Sequence, residues 1–561
     1  MLIKFCKFVL ILLFYQSPLY SKSKTLNDFN SRYLSNYLSG IVAYDNQDNS
    51  QALKFFKSSK ILIKQHNPYL EKYIYSLILE GKVHHAINEV KQNLIKDNSN
   101  FFEAHLLLAL DSLKKKNYIK SKKHLKDANQ FINNDRFSLI TYETLIEYLY
   151  VFEENKILKK KKNFGNLSFI NEVFQRCYLG DKNTGVFFDQ LINNKNSIDY
   201  SRYIFFYIDY LIDENKYEEA KLISNDLDDL NTPLLISQGK KWIDEKNLEK
   251  FEKFFSCKNP NDIVSEFFFL VGNLHASQNN YDQSNFYLNI AHFFNPKFIF
   301  NLSLSAENYY LNEDYIKTKS ILKHFNKKDN FYYWFRLKKE AQIISKVKND
   351  EKSLDFINTK FKEIEDPSIK IIFDIANFNK SAKKYKKAIK FYNQIISKIS
   401  LNSTLYSEVL YRRGSSYERL GDYKNSDKDL LESLEISPDD AYVLNYLGYS
   451  WLERDYKIDT ALKMLERAFA IKSDDAYIID SVGWAYYLIG DYIKAEKFLK
   501  RAVELMPQDY TVNDHYGDIL WKLKRKIQAR YFWKNVLNLK GIEDNMRKNI
   551  NHKLIDGLKN S

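Results

Sequence analysis

Between residues 405 and 541, large, small and aromatic positions recur at a nearly fixed interval. Gly414, Gly448, Gly483 and Gly517 mark the pattern, at spacings of 34, 35 and 34 residues. Three residues after each glycine stands a bulky side chain (Tyr417, Trp451, Tyr486, Leu520), and about a dozen after it a small one (Ser426, Ala461, Ala495, Ala529). Leu430, Leu465, Leu499 and Trp533 follow four positions later, and Ser433, Ala468, Ala502 and Val536 three beyond those. Small and large residues a helical turn apart on two successive segments let two helices approach closely and interlock as an antiparallel pair. The turns fall at Leu-Gly421-Asp-Tyr423 and Ile-Gly490-Asp-Tyr492, where glycine stops a helix. Pro438 and Pro507 close their units.

The same register runs through the rest of the chain in a worn form. Ala52, Ala86 and Ser121 are 34 and 35 residues apart, Tyr315 follows Tyr281 by 34, and Ala376, Tyr385, Ala388 and Tyr392 mark a unit ahead of the four sharp ones. The pattern fades over 131–200, and 330–370 reads as a degenerate pair. Gly180-Asp-Lys-Asn-Thr-Gly185 has the gap of a phosphate loop, but Val186 and Phe187 stand where a lysine and a hydroxyl are needed, so it reads as a turn. Only 15 glycines and 8 prolines in 561 residues argue against long flexible linkers and against an all-β fold. The expectation is an all-α chain of about 10–13 helical hairpins, one elongated body in which each hairpin touches only its neighbours. Its segments are 24–130, a degenerate stretch 131–400, sharp repeats 401–541, and a capping helix or tail 542–561.

These residues resemble the tetratricopeptide repeat, a helix-turn-helix unit of about 34 residues. Gly483, Tyr486, Ala495, Leu499, Ala502 and Pro507 follow that pattern throughout the third unit, whereas in the fourth Leu520 replaces the aromatic and Gly541 the proline. The resemblance implies a right-handed α-solenoid. The phrases Tyr477-Ile-Ile-Asp-Ser-Val-Gly-Trp-Ala-Tyr-Tyr487 and Asn513-Asp-His-Tyr-Gly-Asp-Ile-Leu-Trp521 look like the C-terminal units of large exported tetratricopeptide proteins of Gram-negative bacteria, alphaproteobacteria in particular. That resemblance implies a non-catalytic scaffold or adaptor that binds a partner protein, and some related proteins present substrates to periplasmic proteases.

Residues 1–23 carry the signs of an export signal: Lys4 and Lys7, an apolar run Phe8–Phe14, and small Ser21 and Ser23. They predict an exported, periplasmic chain, and an uncleaved segment would tie it to a membrane. Cys6 precedes the apolar run and is badly placed for lipidation, leaving Cys177 and Cys257, which are expected as two unpaired, buried thiols although export would permit a bridge. The net charge of +14 is spread along the chain with acids between the lysines, and the densest run, Lys159–Lys162, reads as a solvated loop, so it does not argue for nucleic acid.

Catalytic chemistry finds no foothold in the pattern. The ten histidines form no His-Glu-x-x-His pair, and no serine sits in a Gly-x-Ser-x-Gly elbow, so the expectation is no enzyme, no metal and no cofactor. Asp514, His515 and Asp518 are expected to line an exposed groove. In a stacked array the first helix of each hairpin lines the concave face. That face is expected to comprise Tyr411, Arg412 and Ser415, then Tyr442, Asn445 and Tyr449, then Tyr477, Asp480, Trp484 and Tyr487, then Asp514, Asp518 and Trp521. Aromatics among mixed charges suit protein binding, although Trp484 and Trp521 could equally pack against the adjacent hairpin. Asn445 and Arg412 have no matching lysines, and Asp480 and Asp514 would repel a terminal carboxylate, so the groove fits an extended or helical segment with apolar anchors and some positive charge. A structural part in envelope polysaccharide export, with the aromatics meeting sugar, is the alternative.

Overall fold

The computed structural model describes residues 31–558 except 65, 67, 94–100, 133–134, 160, 194–200, 229, 231 and 402. The expected export signal at 1–23 lies outside the described residues. Among the described residues there are thirty α-helices and no strand, a few more helices than 10–13 hairpins would need. No helix among them is long and apolar enough to cross a membrane. The chain divides into two compact units, the described part of Met1–Asp226 with Pro233–Asn326, and Leu227–Thr232 with Lys327–Ser561. The boundaries expected near 130 and 400 mark changes in the sharpness of the sequence pattern, and the division into compact units falls elsewhere.

In the second unit, the helix pairs Ile369–Ser381 with Tyr385–Ile396, Thr404–Glu418 with Tyr423–Ile436, Ala441–Glu453 with Ile458–Ile471, Ala476–Leu488 with Tyr492–Leu505, and Tyr510–Lys522 with Lys526–Asn538 follow one another as antiparallel hairpins, and Asp544–Asp556 ends the series. Their beginnings are written in the sequence. Ser403, Asp440, Asp475 and Asp509 each accept hydrogen bonds from backbone N–H groups of the first turn, an arrangement worth about 1 kcal/mol per helix. Gly421 and Gly490 adopt φ +74° and +84° between the helices of their pairs, and Asp422 and Asp491 directly after them cap the second helix. The recurring glycines sit where two helices meet. A Cβ at Gly483 would lie 2.7 Å from Leu499 Cγ, and one at Gly448 3.0 Å from the Ala461 carbonyl oxygen. Ala461, Leu465, Ala468, Ala495, Leu499, Ala502, Ala529, Trp533 and Val536 are wholly buried, as the spacing predicts.

The first unit departs from the nearest-neighbour expectation. Asn289 Nδ2 donates to the Ile78 carbonyl at 2.9 Å and Tyr309 Oη to the Leu79 carbonyl at 3.3 Å, across 211 and 230 residues of chain. Lys317 pairs with Glu80 at 2.7 Å, and the Lys114 ammonium lies 3.9 Å from the Phe293 ring centre. The cause is visible in the helices Pro260–Ser277 and Tyr281–Phe294, where Phe267, Phe268, Phe269, Phe286, Tyr287, Phe293 and Phe294 are apolar around more than one face and all buried. A helix apolar on several faces must be covered on several sides. Arg202 lies in the same unit, donating to both Glu266 oxygens at 2.8 and 2.7 Å with its guanidinium 3.7 Å from the Phe269 ring centre.

Cys177, on the helix Asn166–Leu179, and Cys257 form a disulfide, with their Cα atoms 5.8 Å apart. This corrects the expectation of two free thiols, because folding joins positions 80 residues apart that no local spacing connects. Gly180, at φ +64°, ends the helix Asn166–Leu179 and the next begins at Thr184, so a turn separates the two helices and Gly185 already belongs to the second.

Candidate functional site

The first helices of the sharp hairpins carry the expected strip, and the structure divides it into two halves of different character. In the first half all the side chains but Ser415 are half-buried or exposed. Tyr411 meets Tyr446 edge to face, with ring centres 5.9 Å apart, and Arg412 Nε donates to Glu408 at 2.7 Å. Tyr442 is 46% exposed, with the Lys472 ammonium 4.3 Å from its ring centre. Asn445 is half-buried, and its side-chain oxygen has no hydrogen-bond partner among the described residues. Burial raises the Tyr449 hydroxyl's pKa, with Glu453 and Asp480 adding to it. Ser415 is buried, its hydroxyl donating to the Arg412 carbonyl at 3.0 Å.

The second half is knit together. Tyr477 remains 58% exposed, but Asp480 is 6% exposed and accepts from His515 Nδ1 at 2.8 Å. Trp484 stacks on Tyr487 with ring centres 4.6 Å apart and on His515 at 4.0 Å, while its Nε1 donates to Glu453 at 2.8 Å. Trp484 therefore packs on the adjacent hairpin while staying half-buried. Burial opposes charge on the His515 imidazole, but Asp480, with Asp514 and Asp518, outweighs it and raises the pKa.

The fourth hairpin corrects the expectation of an exposed acidic groove. Asp514 and Asp518 are only 7% and 4% exposed. Lys553, from the terminal helix Asp544–Asp556, pairs with Asp514 at 2.7 Å and with Asp518 at 2.8 Å. Asp518 also accepts from Trp533 Nε1 at 2.9 Å, and burial raises its carboxyl, with Asp514 adding to this and Lys553 opposing it. Trp521 is covered too: the backbone of Gly557 presses on its ring, and Trp533 lies 5.4 Å away. The physical reason is that two neighbouring carboxylates cannot be buried without a cation, and the chain supplies its own.

Sequence reasoning missed a cavity of about 530 Å³ beside the first sharp hairpin, lined by Asn377, Lys380, Tyr385, Arg412, Arg419 and Tyr446. Lys380 Nζ donates to Ser415 Oγ at 2.5 Å, and no carboxylate among the described residues pairs with it. Burial, and then Arg412, pull its pKa down to about 8. Arg419 has Glu418 at 3.4 Å, and Lys383 at the rim has Glu543 at 2.5 Å. The repeat gave no signal for the cavity, since Ala376 replaces the marker glycine of that unit and stands 38 residues before Gly414, outside the 34–35 spacing of the later units.

In the first unit, His105 on Phe102–Lys114 and His124 and Asp127 on Tyr118–Asn129 bring one ligand atom each within 4.8 Å of the others, a set that could hold a metal ion. A search for ligands on one helix passes over it, because the set spans two.

Residues 407–440 and 479–509 match the sequence model of the tetratricopeptide repeat, and the chain carries repeats of that family. It is 33% identical over 110 residues to a TPR repeat-containing protein of Pseudomonas aeruginosa, a match covering 20% of this chain and only 18% of that relative. Among solved structures, a thermophilic TPR protein of Thermus thermophilus aligns over 34% of this chain and all of its own length (100%), at 17% identity and a TM-score of 0.30. MamA of Desulfovibrio magneticus aligns over 31% of this chain and 97% of its own, at 21% identity and a TM-score of 0.26. Repeats of this family generally mediate protein–protein interaction.

Proposed function

We propose that this chain is a non-catalytic scaffold of the cell envelope that binds a partner protein through the first helices of the hairpins between 404 and 541 and presents it to an envelope protease or assembly machine. The observation that carries the reading is the row of aromatic side chains, Tyr411, Tyr442, Tyr449, Tyr477, Trp484 and Tyr487, that stay exposed or half-buried while the alanines and leucines around them are sealed in the core. Rigid aromatics with a polar edge are enriched at binding hot spots. Placement in the envelope draws support from the charged and apolar run at 1–23 and from the Cys177–Cys257 bridge, since disulfides persist in oxidising compartments and are rare in the cytosol.

Photo-crosslinking from position 445, between Tyr442 and Tyr449, in intact cells tests the binding surface. A defined protein adduct that disappears in the Tyr442→Ala and Tyr477→Ala variants supports it. These two side chains are the most exposed of the row, so their removal leaves the fold intact. An adduct indifferent to both changes, or none, overturns the reading. Fractionation that finds the chain in the cytosol with free thiols overturns its placement.

A further inference from the structure

The hairpin of Phe102–Lys114 and Tyr118–Asn129 brings two imidazoles and a carboxylate together at the end away from its turn. His124 and Asp127, three residues apart, share one face of the second helix. His105 stands near the start of the first helix, and the packing of the pair sets it opposite them. One ring nitrogen from each histidine and one Asp127 oxygen lie within 4.8 Å of one another. His105 is 7% exposed and its ring lies against Phe131, with ring centres 5.3 Å apart, so packing fixes its plane. His124 and Asp127 are half-buried and free to turn toward it.

Two other places where histidine meets carboxylate already hold a cation of the chain's own. Glu89, 3.3 Å from His85, also takes Lys60 at 2.6 Å, and Asp514 and Asp518, beside His515, are met by Lys553. Between 105 and 127 two imidazoles share one carboxylate instead. Lys120 and Lys123, which act on His124, are exposed, so water and salt screen their repulsion of a cation. Two imidazoles with one carboxylate suit zinc better than magnesium or calcium, which favour oxygen alone. Zinc holds such atoms at about 2.0–2.2 Å, hence roughly 3.4 Å from one another, so the set has to draw in by about 1.4 Å at most.

We propose that His105, His124 and Asp127 form a zinc site that ties together the open end of this hairpin. Three protein ligands leave the fourth tetrahedral position to water. The inference is independent of the partner-binding reading, because it concerns the first unit and needs no second protein. An ion that binds the folded chain and not the unfolded one stabilises the elements it joins, so zinc acts here as a removable staple between two helices.

The test uses the whole chain without a histidine tag, stripped with EDTA and titrated with zinc chloride in a calorimeter. The expected result is one zinc per chain, bound at least about tenfold more weakly by His124→Ala and by Asp127→Asn. His552→Ala, which removes an exposed histidine from the other unit, should bind as the wild type does. Circular dichroism of the metal-free variants checks that the helices still form, and Asp127→Asn, which keeps the size and shape of the side chain, carries the test if His124→Ala does not fold. Cobalt(II) should give the intense visible absorption of a four-coordinate ion in the wild type and not in Asp127→Asn, a signature that a change in stability alone does not move. Zinc should also slow hydrogen exchange across 102–129, and calcium should not. Equal zinc binding by the wild type and both variants means adventitious binding only and overturns the proposal. An equal response to calcium, or no zinc bound at all, overturns it as well.

Discussion

The two compact units use helices of the same kind in opposite ways. In the first, the helices between 260 and 322 return to those between 68 and 114, and aromatic side chains fill the space between them. In the second, each hairpin between 369 and 538 packs mainly on the next, and the aromatics not needed for stacking stay at the surface. The difference teaches where binding surface comes from. A stack in which small residues do the packing has aromatics to spare on one face, whereas a unit that folds back on itself spends them on its own interior.

The largest effect should separate the units. Trp533 is wholly buried against Gly517, and Trp533→Ala should cost about 4 kcal/mol. Hydrogen exchange should show protection lost over 476–556 and kept in the first unit, and loss in both would mean that they do not behave separately. Reducing Cys177–Cys257, whose loop spans 80 residues, should destabilise the first unit by about 3 kcal/mol and leave the exchange of the second unchanged.

Two glycine substitutions sharpen the account of the stack. Gly483→Ala forces a methyl group against Leu499 and should cost about 2 kcal/mol. Gly490→Ala meets nothing within 4 Å but requires φ +84°, and should cost about 1 kcal/mol through the backbone alone. Chemical denaturation followed by tyrosine and tryptophan fluorescence ranks them, and the reverse order would mean that the turn, not the close approach, sets the geometry.

In the second unit a pH effect centres on His515. The pKa of His515 is raised on folding, so its contribution is complete below the ordinary imidazole value near 6.5 and is lost as pH rises through the folded value. The denaturation midpoint of the second unit should fall as pH rises above about 6.5, and His515→Gln should flatten that fall. The smallest effect is expected from Lys317→Ala, which removes a partly exposed pair with Glu80 and should cost less than about 1 kcal/mol. A larger loss there would show that the closure of the first unit depends on that pair more than on its aromatics.

These contrasts also mark how far the amino-acid sequence could be read. The positions of Gly483, Leu499 and Ala502 were legible because packing within and between neighbouring hairpins repeats at a local interval. The exposed aromatics were legible as the remainder of that pattern. The closure of the first unit was not, since the partners of Asn289 and Tyr309 lie more than 200 residues away and belong to no period. The disulfide escaped for the same reason. Asp514 and Asp518 looked exposed because Lys553 lies beyond the last repeat, and Lys380 was overlooked because its unit has lost the marker glycine.

Lys553 also bears on how such a chain can change its length. Hairpins of 34 or 35 residues can be duplicated or deleted in the middle of the stack, since each new neighbour presents the same small and large positions. The last hairpin has no such freedom, because its two carboxylates are matched to one ammonium on the helix that follows. Insertion between the two would strand three charges at once. Evolution of this array should therefore proceed from within, with residues 510–556 inherited as a block.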